Sequence, residues 1–440
     1  MMKRNVMFGV LVGALLGAAV PSWAVDLKWG GDYRLRGIYI DNLTDQNKNA
    51  LDSAAYYSSR FLLTLAATED NVSGVVTLAA GSTNGTGNRL LGDTSFGPDG
   101  STIDLVEAYI KADFKTWGLK GGRAIYKLGN GIILDDAVDG LWANFGLGGT
   151  ALTVATLKLN ERTDVGSGVA IGNTGTPGTA GDADLYVINA GFGKMAMGPA
   201  HNLNLFAAYL IDRSATLIAT SAVNDVTLLI LGVSADADMG GLRLKGEFDF
   251  MNGTHKIPAG TDMDITGMNL VLGAKLSAGM IPLGVDVIYT TGQDSATEHN
   301  INGLSGNYPV GIILANTGAV SDTYKDGTCL SIGGARAYTG GALNCVDGDG
   351  LTAVKVSTGM VHGPHTFDVA AIYAQSTEDS ALGNSDIGIE LDVMVTWALT
   401  KRLSAMGGIG YLIAGDYFKA AATSPTDNMT VLVTQLAYTF

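Results

Sequence analysis

The stretch Gly241-Leu-Arg-Leu-Lys-Gly-Glu-Phe-Asp-Phe250 alternates apolar and charged side chains almost residue by residue. The even-numbered positions are mainly apolar, with Leu242, Leu244, Phe248 and Phe250. The odd-numbered positions are charged, with Arg243, Lys245, Glu247 and Asp249. A helix would scatter these charges around its whole circumference, whereas a strand collects them on one face. The stretch therefore predicts a β-strand with one apolar face and one fully charged face.

The same period of two recurs along the chain and predicts an all-β fold. Eighteen segments follow it with varying clarity: 27–40, 57–69, 74–81, 102–113, 118–127, 138–146, 150–160, 183–193, 201–213, 224–236, 241–251, 265–277, 283–291, 351–361, 365–376, 386–398, 402–414 and 428–440. Most are close to the roughly 9–11 residues that a tilted membrane-crossing strand needs. Segments 74–81 and 138–146 are the shortest and weakest, so sixteen strands is the alternative count.

The composition favours a membrane barrel over a soluble protein. The chain is 47% hydrophobic, with a positive mean hydropathy of +0.23. After residue 24, however, it has no apolar run long enough for a membrane helix. High apolar content that is spread through short alternating segments is typical of transmembrane β-barrels.

The connections between the predicted strands alternate in length. Short turns include 70–73, 114–117, 278–282, 362–364 and 399–401, whereas longer polar loops include 41–56, 82–101, 161–182, 252–264, 292–350 and 415–427. Outer-membrane barrels have short periplasmic turns and long extracellular loops, and a soluble sandwich has no reason to separate loop lengths in this way. We therefore predict a single transmembrane antiparallel β-barrel over 25–440, with 292–350 as its longest extracellular loop.

The N-terminus has the pattern of a secretory signal peptide. Lys3 and Arg4 precede the apolar run 6–20, and Ser22-Trp23-Ala24 supplies small residues at the positions that a signal peptidase recognises. A membrane anchor is the alternative, but the run is shorter than the roughly 20 residues that span a bilayer. We expect residues 1–24 to be removed by cleavage after Ala24.

The mature chain is strongly acidic. Residues 1–24 hold two of the 27 basic residues and none of the 42 acidic ones, which leaves 25 basic and 42 acidic residues and a net charge of −17. Such a surface repels nucleic acid and anionic lipid, which argues against both as specific partners.

Two cysteines, Cys329 and Cys345, lie in one polar, glycine-rich stretch of a chain predicted to be exported. This arrangement predicts a local disulfide, which would stabilise a short loop by about 3 kcal/mol. A metal-binding pair is the weaker alternative, because no histidine or third cysteine lies beside them. The surrounding loop 292–350 either folds into the lumen as a constriction or lies outside as a cap.

The predicted strand number implies a channel. A barrel of 16–18 strands leaves an aqueous lumen unless something plugs it, and charged inward faces cannot pack as a dry core. The alternation predicts these lumen-facing residues: Asp32, Arg34, Arg36, Arg60, Glu107, Arg123, Arg243, Lys245, Glu247, Asp249, Lys355, Glu390 and Asp392. Opposed charges would create a transverse field that favours polar solutes, or they would simply pair with one another. The acidic loops predict a weak preference for cations.

The chain shows no pattern expected of an enzyme or of a cofactor or metal site. Its five histidines fall in or beside turns and loops, without a triad arrangement or metal-ligand spacing: His201, His255, His299, His362 and His365. Asp135, Asp136 and Asp139 would suit a divalent ion at the rim, although solvated loop carboxylates are the simpler interpretation.

Three short motifs resemble those of known outer-membrane proteins. Leu436-Ala437-Tyr438-Thr439-Phe440 resembles the terminal-strand signal of bacterial outer-membrane proteins, in which Tyr438 and Phe440 would be recognised by the barrel assembly machinery. Two other motifs are similar to those of large Gram-negative porins of the phosphate-selective and alginate-export types. One is the stretch 29–37 (WGGDYRLRG), and the other is 119–123 (LKGGR) followed by 128–131 (LGNG). The loops lack the lysine-rich character that phosphate selectivity would require.

The resemblance implies an outer-membrane channel of a Gram-negative bacterium, surrounded by outer-membrane lipid, for passive diffusion of ions and small hydrophilic solutes. A homo-oligomer is compatible with this class. Two other functions remain open: a barrel that sheathes an electron-transfer or other partner protein, and a plugged receptor or adhesin barrel. The second is less favoured, because the first predicted strand follows the signal peptide directly, without a plug domain.

Overall fold

A computed structural model describes residues 25–42, 53–81, 89–91, 102–160, 183–193, 201–213, 225–256, 262–277, 281–292, 298–300, 308, 310–314, 350–379, 382–419 and 425–440. The predicted signal peptide 1–24 and the predicted disulfide between Cys329 and Cys345 lie outside these residues. Among the described residues, no helix is both long enough and apolar enough to cross a membrane.

The described residues form strands throughout, with one short 3-10 helix at Asp416–Phe418. The strands in chain order are β1 Asp26–Asp41, β2 Ala54–Glu69, β3 Val72–Gly81, β4 Arg89–Leu91, β5 Thr102–Asp113, β6 Trp117–Leu128, β7 Leu134–Leu147, β8 Thr150–Asn160, β9 Ala183–Phe192, β10 His201–Asp212, β11 Asp225–Met239, β12 Leu242–Lys256, β13 Met263–Leu276, β14 Leu283–Thr290, β15 Glu298–Asn300, β16 Leu351–His362, β17 His365–Gln375, β18 Asp386–Ala398, β19 Leu403–Ala414 and β20 Met429–Thr439.

Eighteen of these strands form one closed antiparallel ring. Each long strand pairs with the next in the chain, and β20 pairs with β1, which closes the barrel. The short strands β4 and β15 lie outside the ring and pair with β2 and β13. The predicted all-β barrel is confirmed, and the weak segments 74–81 and 138–146 are the strands β3 and β7.

The two ends of the barrel differ in their connections. Two-residue turns at 70–71, 148–149, 240–241 and 363–364 lie at one end, which we call the turn end, and the long connections lie at the other, the loop end. One predicted loop, 252–264, is largely strand, because β12 continues to Lys256 and β13 begins at Met263. A β-carbon on Gly253 would clash with the carbonyl oxygen of Thr227, so this glycine permits close strand pairing and does not mark a turn.

The outer face of the ring is apolar, as the alternation predicts. Phe248 and Phe250 of β12 are exposed on it, whereas Glu247 and Asp249 between them face inward and are buried. The inner wall is not charged throughout. Towards the loop end, β8 to β11 present buried apolar side chains to the interior: Leu157, Leu185, Leu210, Leu228 and Ile230. The lumen therefore has a dry apolar wall on this side, which the charged-face prediction did not include.

The closing seam centres on the C-terminal Phe440. Its backbone exchanges hydrogen bonds with Gly31, with N···O distances of 3.2 and 3.1 Å. Its ring stacks against Phe61 at 5.8 Å and Tyr438 at 6.1 Å between centroids, and lies 5.9 Å from Trp29. The terminal aromatic signal thus lies at the junction of the first, second and last strands.

Candidate functional site: the lumen and its two inward segments

The first inward segment is the part of the β6–β7 hairpin that does not pair with the neighbouring strands β5 and β8. β6 pairs with β5 no further than Arg123, and β7 pairs with β8 no further than Asp139. Beyond these residues the two strands pair only with each other, up to Leu128 opposite Leu134. We call residues 123–139 the inward hairpin, because its contacts place it inside the ring.

One face of the inward hairpin packs onto the apolar inner wall. Tyr126, Leu128, Leu134 and Val138 share one buried cluster with the inward leucines of β8 to β11. Transfer of this apolar surface from water explains why the hairpin folds inward. At its root, the backbone N–H of Ile125 donates to the Glu107 carboxylate at 3.2 Å, which fixes the hairpin to β5.

The tip of the inward hairpin contacts β12. The backbone N–H of Asn130 donates to the Glu247 carboxylate, and its side-chain Nδ2 donates to the carbonyl oxygen of Gly246 at 3.2 Å. Seven residues of strand between Arg123 and Asn130 would extend about 23 Å. The hairpin is thus long enough to reach from its root to a distant part of the wall.

The second face of the inward hairpin carries ion pairs. Arg123 and Asp139 are 2.9 Å apart, and Lys127 and Asp135 are 3.0 Å apart, on two levels of the same strand pair. These aspartates therefore lie in a strand and form ion pairs, and they are not loop residues. The Asp136 carboxylate accepts the backbone N–H of Ala137 at 2.6 Å. Within the described ranges, no group of three or more histidine, cysteine or acidic residues is arranged to hold a metal ion.

The second inward segment comprises the described residues of the long connection 292–350, namely 308 and 310–314. Its backbone N–H groups are held by two carboxylates of β18. Ile313 and Leu314 donate to Glu390 at 2.6 and 2.8 Å, and Ile312 donates to Asp392 at 3.1 Å. Glu390 is 0% exposed. Because Glu390 and Asp392 alternate with the outward residues Ile389 and Leu391, this segment lies inside the ring.

Two lysines also hold the second inward segment. Lys245 of β12 donates to the Tyr308 hydroxyl at 2.7 Å and lies 3.1 Å from Asp286 of β14, while Lys355 of β16 donates to the carbonyl oxygen of Val310 at 2.6 Å. Burial raises the pKa of Tyr308 above its ordinary value, against the opposing effect of the Lys245 ammonium. Tyr308 is therefore a neutral acceptor that links the segment to the wall.

The two inward segments share one buried apolar cluster. Ile132, near the hairpin tip, belongs to the same buried cluster as Tyr308, Val310 and Ile312. The cluster also includes inner-wall residues of β1, β13, β14 and β16 to β20. Together, the hairpin and the second segment narrow the interior. Of the two placements that the sequence left open for the loop 292–350, its described residues adopt the one inside the lumen.

Three of the predicted lining arginines, Arg34, Arg36 and Arg60, lie on the first two strands. Arg36 of β1 is 2% exposed and donates from Nε to the Gln435 side chain at 2.7 Å. Arg60 of β2 donates to Asp32 at 3.3 Å and lies opposite Arg34 in the register. On the far side of the ring, β12 carries both signs, with Arg243 and Lys245 beside Glu247 and Asp249.

Every predicted lining residue is engaged in an interaction. Besides the contacts above, Glu107 accepts the Thr77 hydroxyl at 3.3 Å, Asp249 accepts Asn269 Nδ2 at 3.3 Å, and Arg243 donates twice to Asp236 at 3.0 and 3.2 Å. Arg34 also has an interaction partner. Arg60 and Asp32 form an ion pair within the predicted set, whereas most of the other predicted residues bind backbone groups or neutral side chains. The sequence did not identify Asn130, Tyr308 or Asp286 as members of this network, because these residues lie far along the chain from their partners.

No protein-family model matches the sequence, and no curated protein is similar to it in sequence. Solved structures match the fold along nearly the whole chain. Pseudomonas aeruginosa OpdL matches with a TM-score of 0.56 at 13% identity, over 94% of this chain and 99% of that chain. Pseudomonas aeruginosa OccK2 (OpdF) in complex with glucuronate has a TM-score of 0.54 at 10% identity, over 94% and 98%. Acinetobacter baumannii OccAB1 has a TM-score of 0.54 at 10% identity, over 94% and 96%. The chain therefore has the fold of the large Gram-negative outer-membrane porins, as the resemblance of its sequence predicted.

Proposed function

We propose that this protein is an outer-membrane channel through which ions and small hydrophilic solutes diffuse passively. The observation that carries the proposal is a closed barrel whose interior is narrowed, at mid-height, by two inward segments fixed to charged residues of the wall. A barrel of this strand number is wide enough for an aqueous path beside such segments. Nothing in this arrangement requires a chemical step, so transport and not catalysis is the proposed role.

The solved neighbours support a small solute as cargo. Pseudomonas aeruginosa OccK2 (OpdF) has been crystallised with glucuronate, a small polar acid. The same fold in this chain, with a charged interior, supports transport of solutes of similar size and polarity.

The predicted lining residues define the proposed path. The arginines of β1 and β2 and the carboxylates of β12 and β18 would set up a field across it, which orders water and favours polar solutes over apolar ones. The mature charge of −17 supports a weak cation preference, because an acidic mouth enriches cations.

The cellular setting follows from the same proposal. Residues 1–24 would direct export and be removed, Tyr438 and Phe440 would be recognised by the barrel assembly machinery, and outer-membrane lipid of a Gram-negative bacterium would surround the apolar face. The loop end would face outward, where a disulfide between Cys329 and Cys345 could form. Association into a homo-oligomer is compatible with this setting.

Single-channel conductance tests the proposal directly. Residues 25–440 are refolded, checked for the heat-modifiable gel mobility of a closed barrel, and added to a planar bilayer with a salt gradient across it. We expect discrete current steps, and a reversal potential whose sign shows that cations pass more readily than anions. Silence from a verified closed barrel would contradict the channel and favour a barrel that sheathes a partner protein or serves as a plugged receptor.

A further inference from the structure

A cavity of about 510 Å³ opens at the turn end of β13, β14, β16 and β17. We call it the turn-end bay and define it by its polar and small lining residues: Lys275, Gly284, Ser357, Gly359, Thr366 and Asp368. These positions alternate with the outward residues Leu276, Leu283, Val356 and Val369, so the bay belongs to the inner wall. It lies one register level nearer the turn end than Lys245, Asp286 and Lys355, which hold the second inward segment.

Small residues create the space of the bay. A β-carbon on Gly284 would lie 2.6 Å from the Ser357 hydroxyl oxygen, and one on Gly359 would lie 2.7 Å from a carboxylate oxygen of Asp368. Larger side chains at these two glycines would therefore fill the floor and push against the polar groups. The wall is concave here because β14 and β16 carry little side-chain volume at this level.

Two opposite charges flank this floor. The register places Lys275 beside Gly284 and Gly284 beside Ser357, while Asp368 lies beside Gly359. Lys275 and Asp368 are thus three strand spacings apart across the sheet and two residues apart along it, about 16 Å between backbones. A lysine and an aspartate side chain together are shorter than this span, so a ligand can lie between the ammonium and the carboxylate.

Neither charge has a partner within the part of the chain that the structure describes. Both side chains are exposed and form no hydrogen bond or ion pair. This sets them apart from the predicted lining residues, all of which are engaged, including Arg243 directly opposite Lys275. A charged side chain left unpaired beside a cavity is available to a ligand, and the hydroxyls of Ser357 and Thr366 add donors and acceptors between the two charges.

We propose that the turn-end bay binds a small zwitterion whose ammonium and carboxylate are several bonds apart, as in a dipeptide, with the carboxylate on Lys275 and the ammonium on Asp368. A ligand of one sign would gain one contact and meet a like charge at the other end, whereas a zwitterion satisfies both groups by charge-assisted hydrogen bonds. The inference rests on the proposed function, because the ligand reaches the bay through the water of the channel.

Saturation-transfer NMR on the refolded, heat-modifiable barrel tests the site without requiring transport. The probe is glycylglycine, and the matched probe is glycylglycine acetylated at its N-terminus and amidated at its C-terminus, which has no charge. We expect saturable binding of glycylglycine alone, weakened about tenfold in Lys275→Gln and in Asp368→Asn, as loss of one charge-assisted contact implies. Lys401→Gln and Asp70→Asn change the same charges in exposed turns at the same end and should bind like the parent protein. Equal binding of both probes, absence of binding, or binding unaffected in both bay variants overturns the proposal.

Conductance separates this inference from the proposed function. Glycylglycine added at the turn-end side should interrupt the salt current more often than the neutral probe does. A barrel that conducts salt but does not bind glycylglycine would refute the bay and leave the channel intact. A barrel that binds glycylglycine by NMR but passes no current would refute the channel and leave the bay intact.

Discussion

Gly122 and Gly140 lie directly opposite each other on β6 and β7, at the level where the inward hairpin leaves the barrel wall. Gly122 has a φ of +122°, and a β-carbon on it would clash with the carbonyl oxygen of Ala108. A β-carbon on Gly140 would lie 2.5 Å from the carbonyl oxygen of Thr156. The backbones of β5 and β8 therefore lie close to this glycine pair, one on each side. Because neither glycine has a side chain, the hairpin can turn inward at this level.

Valine at Gly140 should displace the inward hairpin. The added side chain meets backbone and cannot be relieved by a rotamer change, so we expect Gly140→Val to lower the free energy of unfolding by about 1–3 kcal/mol. If the hairpin moves off the wall, single-channel conductance rises. Gly407→Val is the control, because a β-carbon on Gly407 meets no atom within 4 Å. Parental conductance and parental stability in Gly140→Val would show that the glycine pair does not position the hairpin.

The carboxylates of β18 should stabilise the second inward segment. Glu390→Gln replaces one acceptor oxygen by an amide N–H group, which faces a backbone N–H of Ile313 or Leu314. A buried donor left without an acceptor costs about 1–3 kcal/mol, so we expect a loss of that size in denaturant unfolding followed by tryptophan fluorescence. Asp70→Asn removes an equal charge in an exposed turn and should leave the midpoint unchanged. A parental midpoint in Glu390→Gln would mean that these hydrogen bonds add nothing to stability.

The position of the second inward segment can be tested by cross-linking. A β-carbon on Gly410 of β19 would lie 2.9 Å from Cβ of Ile312, slightly closer than the roughly 3.5–4.5 Å of a disulfide and within reach of a small shift. In a background with Cys329→Ser and Cys345→Ser, we expect Ile312→Cys with Gly410→Cys to oxidise to an intrachain disulfide. Mass spectrometry of the joined peptides provides the measurement.

The matched pair for this cross-link is Ile312→Cys with Gly407→Cys. Gly407 lies on the same strand, but no atom lies within 4 Å of a β-carbon there, so this pair should stay reduced. Equal yields for both pairs would indicate random collisions of a mobile segment, and no bridge in the first pair would place the segment away from β19.

The local alternation of the sequence was enough to predict the strands of the wall. Segments 102–113, 150–160 and 386–398 coincide with β5, β8 and β18, because lipid-side and lumen-side positions alternate along most of each strand. Simple alternation along 386–398 would put Ile387 on the outward face with Ile389 and Leu391, and this placement is wrong. A bulge at Gly388, with φ of +120°, shifts the register against Gln375 and turns Ile387 inward, where it is 0% exposed.

The interior could not be predicted from local patterns. The alternation correctly put Glu390 and Asp392 on one face, but their partners are backbone N–H groups 76 to 80 residues away. The inward hairpin was missed because its residues 134–138 bury apolar side chains against the inner wall, so they lack the usual alternation of a strand between lipid and water. The residues around Tyr308 in the sequence show no pattern that would predict its role, since only the folded barrel brings it to Lys245.

The seam at the C-terminus should depend on Gly31. A β-carbon there would clash with the carbonyl oxygen of Leu62 and lie 2.7 Å from the ring of Phe440, so Gly31→Val should separate β1 from β2 and from the terminal ring. We expect a large loss of the heat-modifiable closed form in gel mobility after refolding. Gly74→Val on β3 is the control, since a β-carbon there meets no atom within 4 Å. Phe440→Ala distinguishes the two contacts: it should weaken closure by about 3–5 kcal/mol if ring packing dominates, and leave it nearly unchanged if the backbone clash at Gly31 is the whole effect.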